Sequence, residues 1–227
     1  MTISNTTFDL EALSLRGINS ALHAAEEGAF TVLNPGGAHA LACGLNAPLE
    51  VTIKGHTGYY CAGMNKHAAV TIEGNVGTGC GENIMSGTIR VKGDASQSLG
   101  ATGHGGLIVV EGSASARAGI SMKGVDIVVK GDVGHMSAFM AQAGRLVVLG
   151  DAGADLGDSI YEAELFVRGK VASLGADCEE KPLGDADKAA LGVLLEQAGI
   201  AADPAAFKRY GSARKLYNFN IDHMDSY

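Results

Sequence analysis

Residues 49–105 read LEVTIKGHTGYYCAGMNKH (49–67), AAVTIEGNVGTGCGENIMS (68–86) and GTIRVKGDASQSLGATGHG (87–105). Aligned this way, Gly55, Gly74 and Gly93 share one column. Ile53, Ile72 and Val91 stand two positions before them, and Val51, Val70 and Ile89 four before. The column continues through Gly112, Gly131, Gly150 and Gly169, every step being 19 residues. The two preceding slots continue as Val110, Val129, Val148 and Val167, and as Ile108, Ile127, Leu146 and Leu165. All fourteen slots hold Val, Ile or Leu.

Alternation with period two marks a strand with one buried face. A period of 19 leaves no room for a crossover helix, so each repeat must bring the chain back beside itself. The predicted fold is all-β: a right-handed parallel β-helix, or solenoid, of 19-residue coils, closed by short N- and C-terminal helical caps. Coils stacked at about 4.8 Å give seven of them a span of roughly 29 Å. A left-handed hexapeptide helix would need an aliphatic residue every six positions, and that pattern is absent. The strand-ending glycines are read as bends at positive φ. A second small column, Ala62, Gly81, Gly100, Gly119, Ala138, Gly157 and Ala176, marks another crowded corner. Outward positions Lys54, Glu73, Lys92, Glu111 and Lys130 alternate in sign and should pair between coils. The other outward column ends in Val109, Val128, Val147 and Phe166, an apolar stripe that the C-terminal segment or another protein must cover.

Three regions follow. Residues 1–48 form an N-terminal cap and irregular first coil. Ile18, Ala21, Leu22 and Ala25 suggest a short helix, and Phe30 to Leu33 an early strand. Residues 49–177 form the β-helix. Residues 178–227 form a helical segment and docking tail, with Asp185 as N-cap of a helix over 186–198 and Asp203-Pro204 opening a second helix to Tyr210. The chain of 227 residues has 33 Gly, a hydrophobic fraction of 46% and a net charge of −8, so it is globular and unsuited to nucleic acid. No run approaches a membrane span, and no signal peptide is read at the N-terminus. The four Cys are read as reduced thiols, and the expected location is the cytoplasm.

Few residues suggest chemistry. Cys61 and Cys80 stack on adjacent coils, with Cys43 close to the same column, as a buried ladder of small residues. The seven histidines fall at different phases of the repeat, and no two are 19 apart. Asp155, Asp158 and Glu162 are the tightest acidic group and would be the acids of a solenoid hydrolase or lyase. Gly77-Thr78-Gly79-Cys80-Gly81 is not a phosphate loop, because the repeat demands a strand at Ile89 where a helix would have to open. Tyr59, Tyr60 and Met64 in one coil, Met136, Phe139 and Met140 in another, and Tyr217, Phe219 and Tyr227 in the tail are the candidate partner-contacting residues.

The coils with strand-ending glycines, together with Gly77, Gly79 and Gly81, resemble the GXGXG domain. That domain is the C-terminal β-helix of the glutamate synthase large subunit, and in formylmethanofuran dehydrogenase it forms a subunit by itself. The stretches Gly134 to Gly144 and Gly150 to Ala163, with the ending Arg209 to Phe219, are most similar to the free-standing β-helix subunit of the N-methylglutamate synthase (methylamine–glutamate N-methyltransferase) family. The resemblance implies a β-helix without catalytic, cofactor or metal residues of its own. It implies a hetero-oligomer in which this chain joins an amidotransferase-like subunit to a glutamate-synthase-like subunit carrying FMN, with or without an iron–sulfur cluster. The implied reaction converts methylamine and glutamate to N-methylglutamate and ammonia. An ordinary glutamate synthase or a formyl-transfer complex would use the same scaffold.

Overall fold

The structure is a computed structural model and describes residues 5–214. It is an all-β parallel solenoid of about seven turns. The strands are β1 (Asn5–Asp9), β2 (Gly28–Leu33), β3 (Leu49–Lys54), β4 (Ala69–Ile72), β5 (Thr88–Val91), β6 (Leu107–Val110), β7 (Lys123–Val129), β8 (Ala143–Val148), β9 (Glu164–Val167), β10 (Cys178–Lys181) and β11 (Lys208–Ser212). From β1 to β9 each strand pairs parallel with the next. The register of 19 is direct: Val51 lies beside Val70, Ile72 beside Val91, and Val110 beside Val129. Their inward side chains form one continuous core along the axis. A second inward column, Thr57, Val76, Ala95, Ala114, Val133, Ala152 and Val171, bridges coil to coil just past each strand-ending glycine.

The strand-ending glycines serve a different purpose from the one their position suggested. Gly55 has positive φ, +133°, but the six glycines stacked above it do not. What they need is room. A Cβ on Gly74 would lie 2.6 Å from the Gly55 carbonyl oxygen, and one on Gly93 would lie 2.1 Å from Asn75 Oδ1. The next column explains that crowding. Asp94 N–H donates to Asn75 Oδ1 (2.9 Å), Ser113 N–H to Asp94 Oδ1 (2.8 Å), and Asp151 N–H to Asp132 Oδ1 (2.7 Å). Each coil's polar side chain therefore caps the next coil's backbone, and from Gly93 upward a Cβ on the glycine would be driven into that bond, while at Gly74 it would meet the backbone of the coil below.

Both ends are closed, by strands as well as by the expected helices. The helix α1 (Leu15–Ala24) starts at Ser14, whose Oγ accepts from Gly17 N–H, and buries Ile18 and Leu22. Its Asn19 replaces the missing coil: Nδ2 donates to Ala40 O and Oδ1 accepts from Ala42 N–H, both at 2.9 Å. A strand, β1, precedes the helix and forms the first rung. At the far end the rung is closed by strands: β11 pairs antiparallel with β9, and β10 with β11. The helix expected to reach Tyr210 is a single 3-10 turn, Pro204–Ala206, capped by Asp203. Beyond it Phe207 is buried in an apolar cluster and the chain extends as β11.

The second helix, α2 (Asp185–Gln197), lies on the side of the solenoid rather than its end. Its N-cap is Gly184, not Asp185, and Asp187 accepts from the Gly184 N–H (2.8 Å). Leu191, Leu194, Leu195 and Ala198 bury the outer stripe of Val109, Val128, Val147 and Phe166. The chain's own C-terminal segment thus covers that stripe. Arg90 Nη2 donates to Ala198 O (2.7 Å) at the helix end, while its Nη1 pairs with Glu111 (2.8 Å).

Candidate functional site

A third side of the solenoid carries the candidate residues, and its backbone is unusual. In each coil three alternate residues take left-handed conformations. They run as Tyr60, Gly79, Ser98, Arg117, Met136 and Asp155, then as Ala62, Gly81, Gly100, Gly119, Ala138 and Gly157, and then as Met64, Asn83, Thr102, Ser121, Met140 and Ser159. Every φ lies between 51° and 73°. Adjacent coils satisfy these bent segments: Tyr60 N–H donates to Thr78 O (2.9 Å), Gly81 N–H to Cys61 O (2.9 Å), and Met64 N–H to Glu82 O (2.7 Å). The middle column faces the core, which is why it is Gly or Ala; a Cβ on Gly100 would lie 2.7 Å from Ile127 Cδ1.

This resolves Gly77, Gly79 and Gly81 into three separate needs. Gly77 passes the Gly58 carbonyl, with a Cβ 2.7 Å from its oxygen. Gly79 has φ +73° and lies under the Tyr60 ring, 2.7 Å from any Cβ. Gly81 has φ +67° and leaves space for Ile89 and Ile108. The motif is a device for stacking coils.

On this side the exposed side chains of the outer two columns are conspicuous. Tyr59 is 52% exposed, Tyr60 48%, Met64 55% and Met140 39%; Met136 and Phe139 are half-buried. Tyr59 stacks on His39 (4.5 Å between ring centres), whose Nδ1 also accepts from Tyr59 N–H (2.9 Å), and meets Tyr60 edge-on. Left-handed backbone disfavours bulky side chains by about 1–2 kcal/mol, and exposure returns no burial. Their stacked neighbours are small or polar: Ala40 and Gly79 beside Tyr60, Gly44 and Asn83 beside Met64, Arg117 and Asp155 beside Met136, and Ser121 and Ser159 beside Met140. Only the middle left-handed column left a trace in the sequence, as Gly or Ala recurring every 19 residues. Tyr217, Phe219 and Tyr227 lie outside the described residues.

The other candidates are held by the scaffold. Asp158 Oδ1 accepts from Ser159 Oγ (2.8 Å) and Oδ2 from Ala176 N–H (3.2 Å); Asp155 Oδ1 accepts from Ser173 Oγ (3.3 Å). Glu162 is exposed. His56 Nδ1 accepts from Asn75 N–H (2.9 Å), and His23 Nε2 lies 2.7 Å from Cys43 O. Cys61 and Cys80 are buried and hydrogen-bonded to each other, which together with burial pushes the Cys80 thiol up. Cys43 is in another column, against Gly63. Burial lifts the Cys178 thiol to about 11. Among the described residues, no group of three or more His, Cys, Asp or Glu is placed to hold a metal ion, and no helix is long and apolar enough to cross a membrane.

No family model matches the chain. It is 56% identical over 224 residues to "Protein GlxC" of Rhizobium meliloti (strain 1021), an alignment that takes in 96% of this chain and 98% of that protein. At this identity over nearly the whole of both chains, the chain belongs to the GlxC family.

Proposed function

We propose that this chain is the scaffold subunit of a glutamate-synthase-like complex. It joins an amidotransferase-like subunit to an FMN-binding synthase subunit, and the complex exchanges the amine of glutamate for methylamine. The observation that carries the reading is the exposed Tyr59, Tyr60, Met64 and Met140 on and beside strained left-handed backbone. Such residues serve neither the core nor solubility, and long flexible Met chains suit adaptable protein contacts. The GXGXG resemblance supplies the class of complex. The solenoid-hydrolase alternative is disfavoured because the carboxylates of Asp155 and Asp158 are engaged in inter-coil hydrogen bonds.

The test is purification of the tagged chain from its native host grown on methylamine. Expected is co-purification of a flavin-bearing subunit and an amidotransferase-like subunit, with N-methylglutamate formed by the assembly. Recovery of the chain alone, or turnover by the isolated chain, overturns the reading. Co-purification with a flavin subunit that forms glutamate but not N-methylglutamate would keep the scaffold and replace the amine.

A further inference from the structure

We propose that the partner subunit contacting the left-handed side brings an arginine, which lies on the Tyr60 ring and pairs with the carboxylate of Glu82. The inference rests on the reading of that side as a partner surface, and adds what the partner presents there. Among the described residues, Glu82 is the one half-buried carboxylate whose side chain has neither a hydrogen bond nor an ion pair. The others at that exposure are engaged, as Glu111 is by Lys130, Asp126 by Arg145, and Asp158 by Ser159 and Ala176. The adjacent polar side chain is satisfied too, since Asn83 Oδ1 accepts from Thr102 Oγ1 (2.7 Å). The Glu82 backbone is held from both sides: its N–H donates to Gly79 O (3.1 Å) and its carbonyl accepts from Met64 N–H (2.7 Å). A partly desolvated charge with no counter-charge is unfavourable, and a cation brought to it stabilises whatever carries that cation.

Gly79 leaves room at the same place. A Cβ there would lie 2.7 Å from Tyr60 Cδ1 and Cε1 and 3.0 Å from Glu82 Oε2, so ring and carboxylate converge on one spot. Tyr60 is 48% exposed, and the face of its ring attracts cations. A planar guanidinium meets both groups at once, stacking on the ring while its N–H groups donate to the carboxylate; an ammonium is a point charge without the flat face. No cation of this chain fills the place. Lys66 and Arg117, the basic residues nearest in the adjoining coils, are exposed and form no ion pair. The stretches outside the described residues contain no Arg, and their one Lys, Lys215, follows Arg214. Arg214 is paired with Asp177, about five coils or roughly 24 Å from Gly79. The arginine must therefore come from another molecule.

The experiment titrates the purified full chain against the partner subunits recovered with it, at stepped salt concentrations. Glu82→Gln should raise the dissociation constant by about ten-fold or more and flatten its salt dependence. Tyr60→Ala should weaken binding by a similar factor, and Tyr60→Phe by less than about three-fold, because the ring remains. The thermal melt of Glu82→Gln should match the wild type, since the carboxylate holds nothing within this chain. Treating the partner subunits with phenylglyoxal, which modifies arginine, should weaken binding of the wild type far more than binding of Glu82→Gln. Partner binding indifferent to Glu82→Gln overturns this inference and leaves the scaffold reading standing. So does binding lost on acetylation of the partner's lysines but not on phenylglyoxal treatment. A dimer of the chain alone that Glu82→Gln disperses would put a second copy in the place and overturn it as well. A chain that recovers no partner overturns both readings.

Discussion

At the scale of single residues, the two glycine columns make unequal predictions for the same substitution. On Gly93 an added Cβ meets Asn75 Oδ1 at 2.1 Å and the Gly74 carbonyl oxygen at 2.9 Å, both fixed by the stacking itself. Gly93→Ala should therefore cost about 3 kcal/mol, an overpacking penalty with no flexible neighbour to relieve it. On Gly100 the φ is +63°, but the obstacle is the tip of Ile127, and Ala62 and Ala138 already occupy that column. Gly100→Ala should cost only the left-handed backbone term, about 1–2 kcal/mol. Thermal or urea melts of the pair check the ranking, and equal costs would refute it. Glu111 gives a pH prediction. Lys130, then Arg90 and Lys92, hold its carboxylate down to about 2 from an ordinary 4.5. Its folded pKa is lowered, so its contribution is complete above about pH 4.5 and fades as pH falls toward 2. Its side chain is 23% exposed, and the contribution is on the order of 2–3 kcal/mol. Glu111→Gln should lower stability at neutral pH and flatten its decline between those two values, as measured by urea unfolding at stepped pH.

At the scale of elements, the two α-helices among the described residues do different work, and the sequence revealed one better than the other. The Val109 to Phe166 stripe announced that a cover was needed, and the Leu pattern of 191–195 showed which segment could supply it. Replacing buried Leu195 with Ala should cost about 3 kcal/mol and expose the stripe, read as increased binding of a hydrophobic dye. An unchanged melt and no dye signal would mean that the helix does not stabilise the solenoid. The N-terminal cap was harder to read. Asn19 stands in for a coil with a single amide group, a role with no periodic trace because it occurs once. Asn19→Ala strands Ala42 N–H and Ala40 O, and should cost about 1–3 kcal/mol. Faster amide exchange confined to residues 38–45, with the distal coils still protected, is the signature expected.

At the scale of the whole molecule, stability is carried by nearest-neighbour stacking, and the period was legible wherever that stacking is strict. It faded before residue 49 because the first full coil takes 21 residues: Phe30 lies beside Val51 and Val32 beside Ile53. It ended past the last rung because the closing strands run antiparallel, an arrangement that no repeat encodes. The exposed Tyr and Met residues of the left-handed side were legible only as departures from their columns, since side chains that add nothing to the stacking leave no period. The same logic predicts which large deletion the molecule survives. Removing residues 57–75 joins His56 to Val76, two positions that already stand in succession around every coil. The His56 ring then meets Asp94 N–H as it met Asn75 N–H, α1 still caps the first coil, and α2 keeps all its contacts. The losses are one rung of a quasi-one-dimensional stack and an opposite-charge pair, since Lys54 comes to lie beside Lys92. That shortened chain should fold with native-like circular dichroism and a melting temperature a few degrees lower. Removing only 57–66 would set strand against corner, leave both sets of backbone groups unpaired, and yield no cooperative melt. If both deletions melted alike, the rungs would not be the unit of this structure.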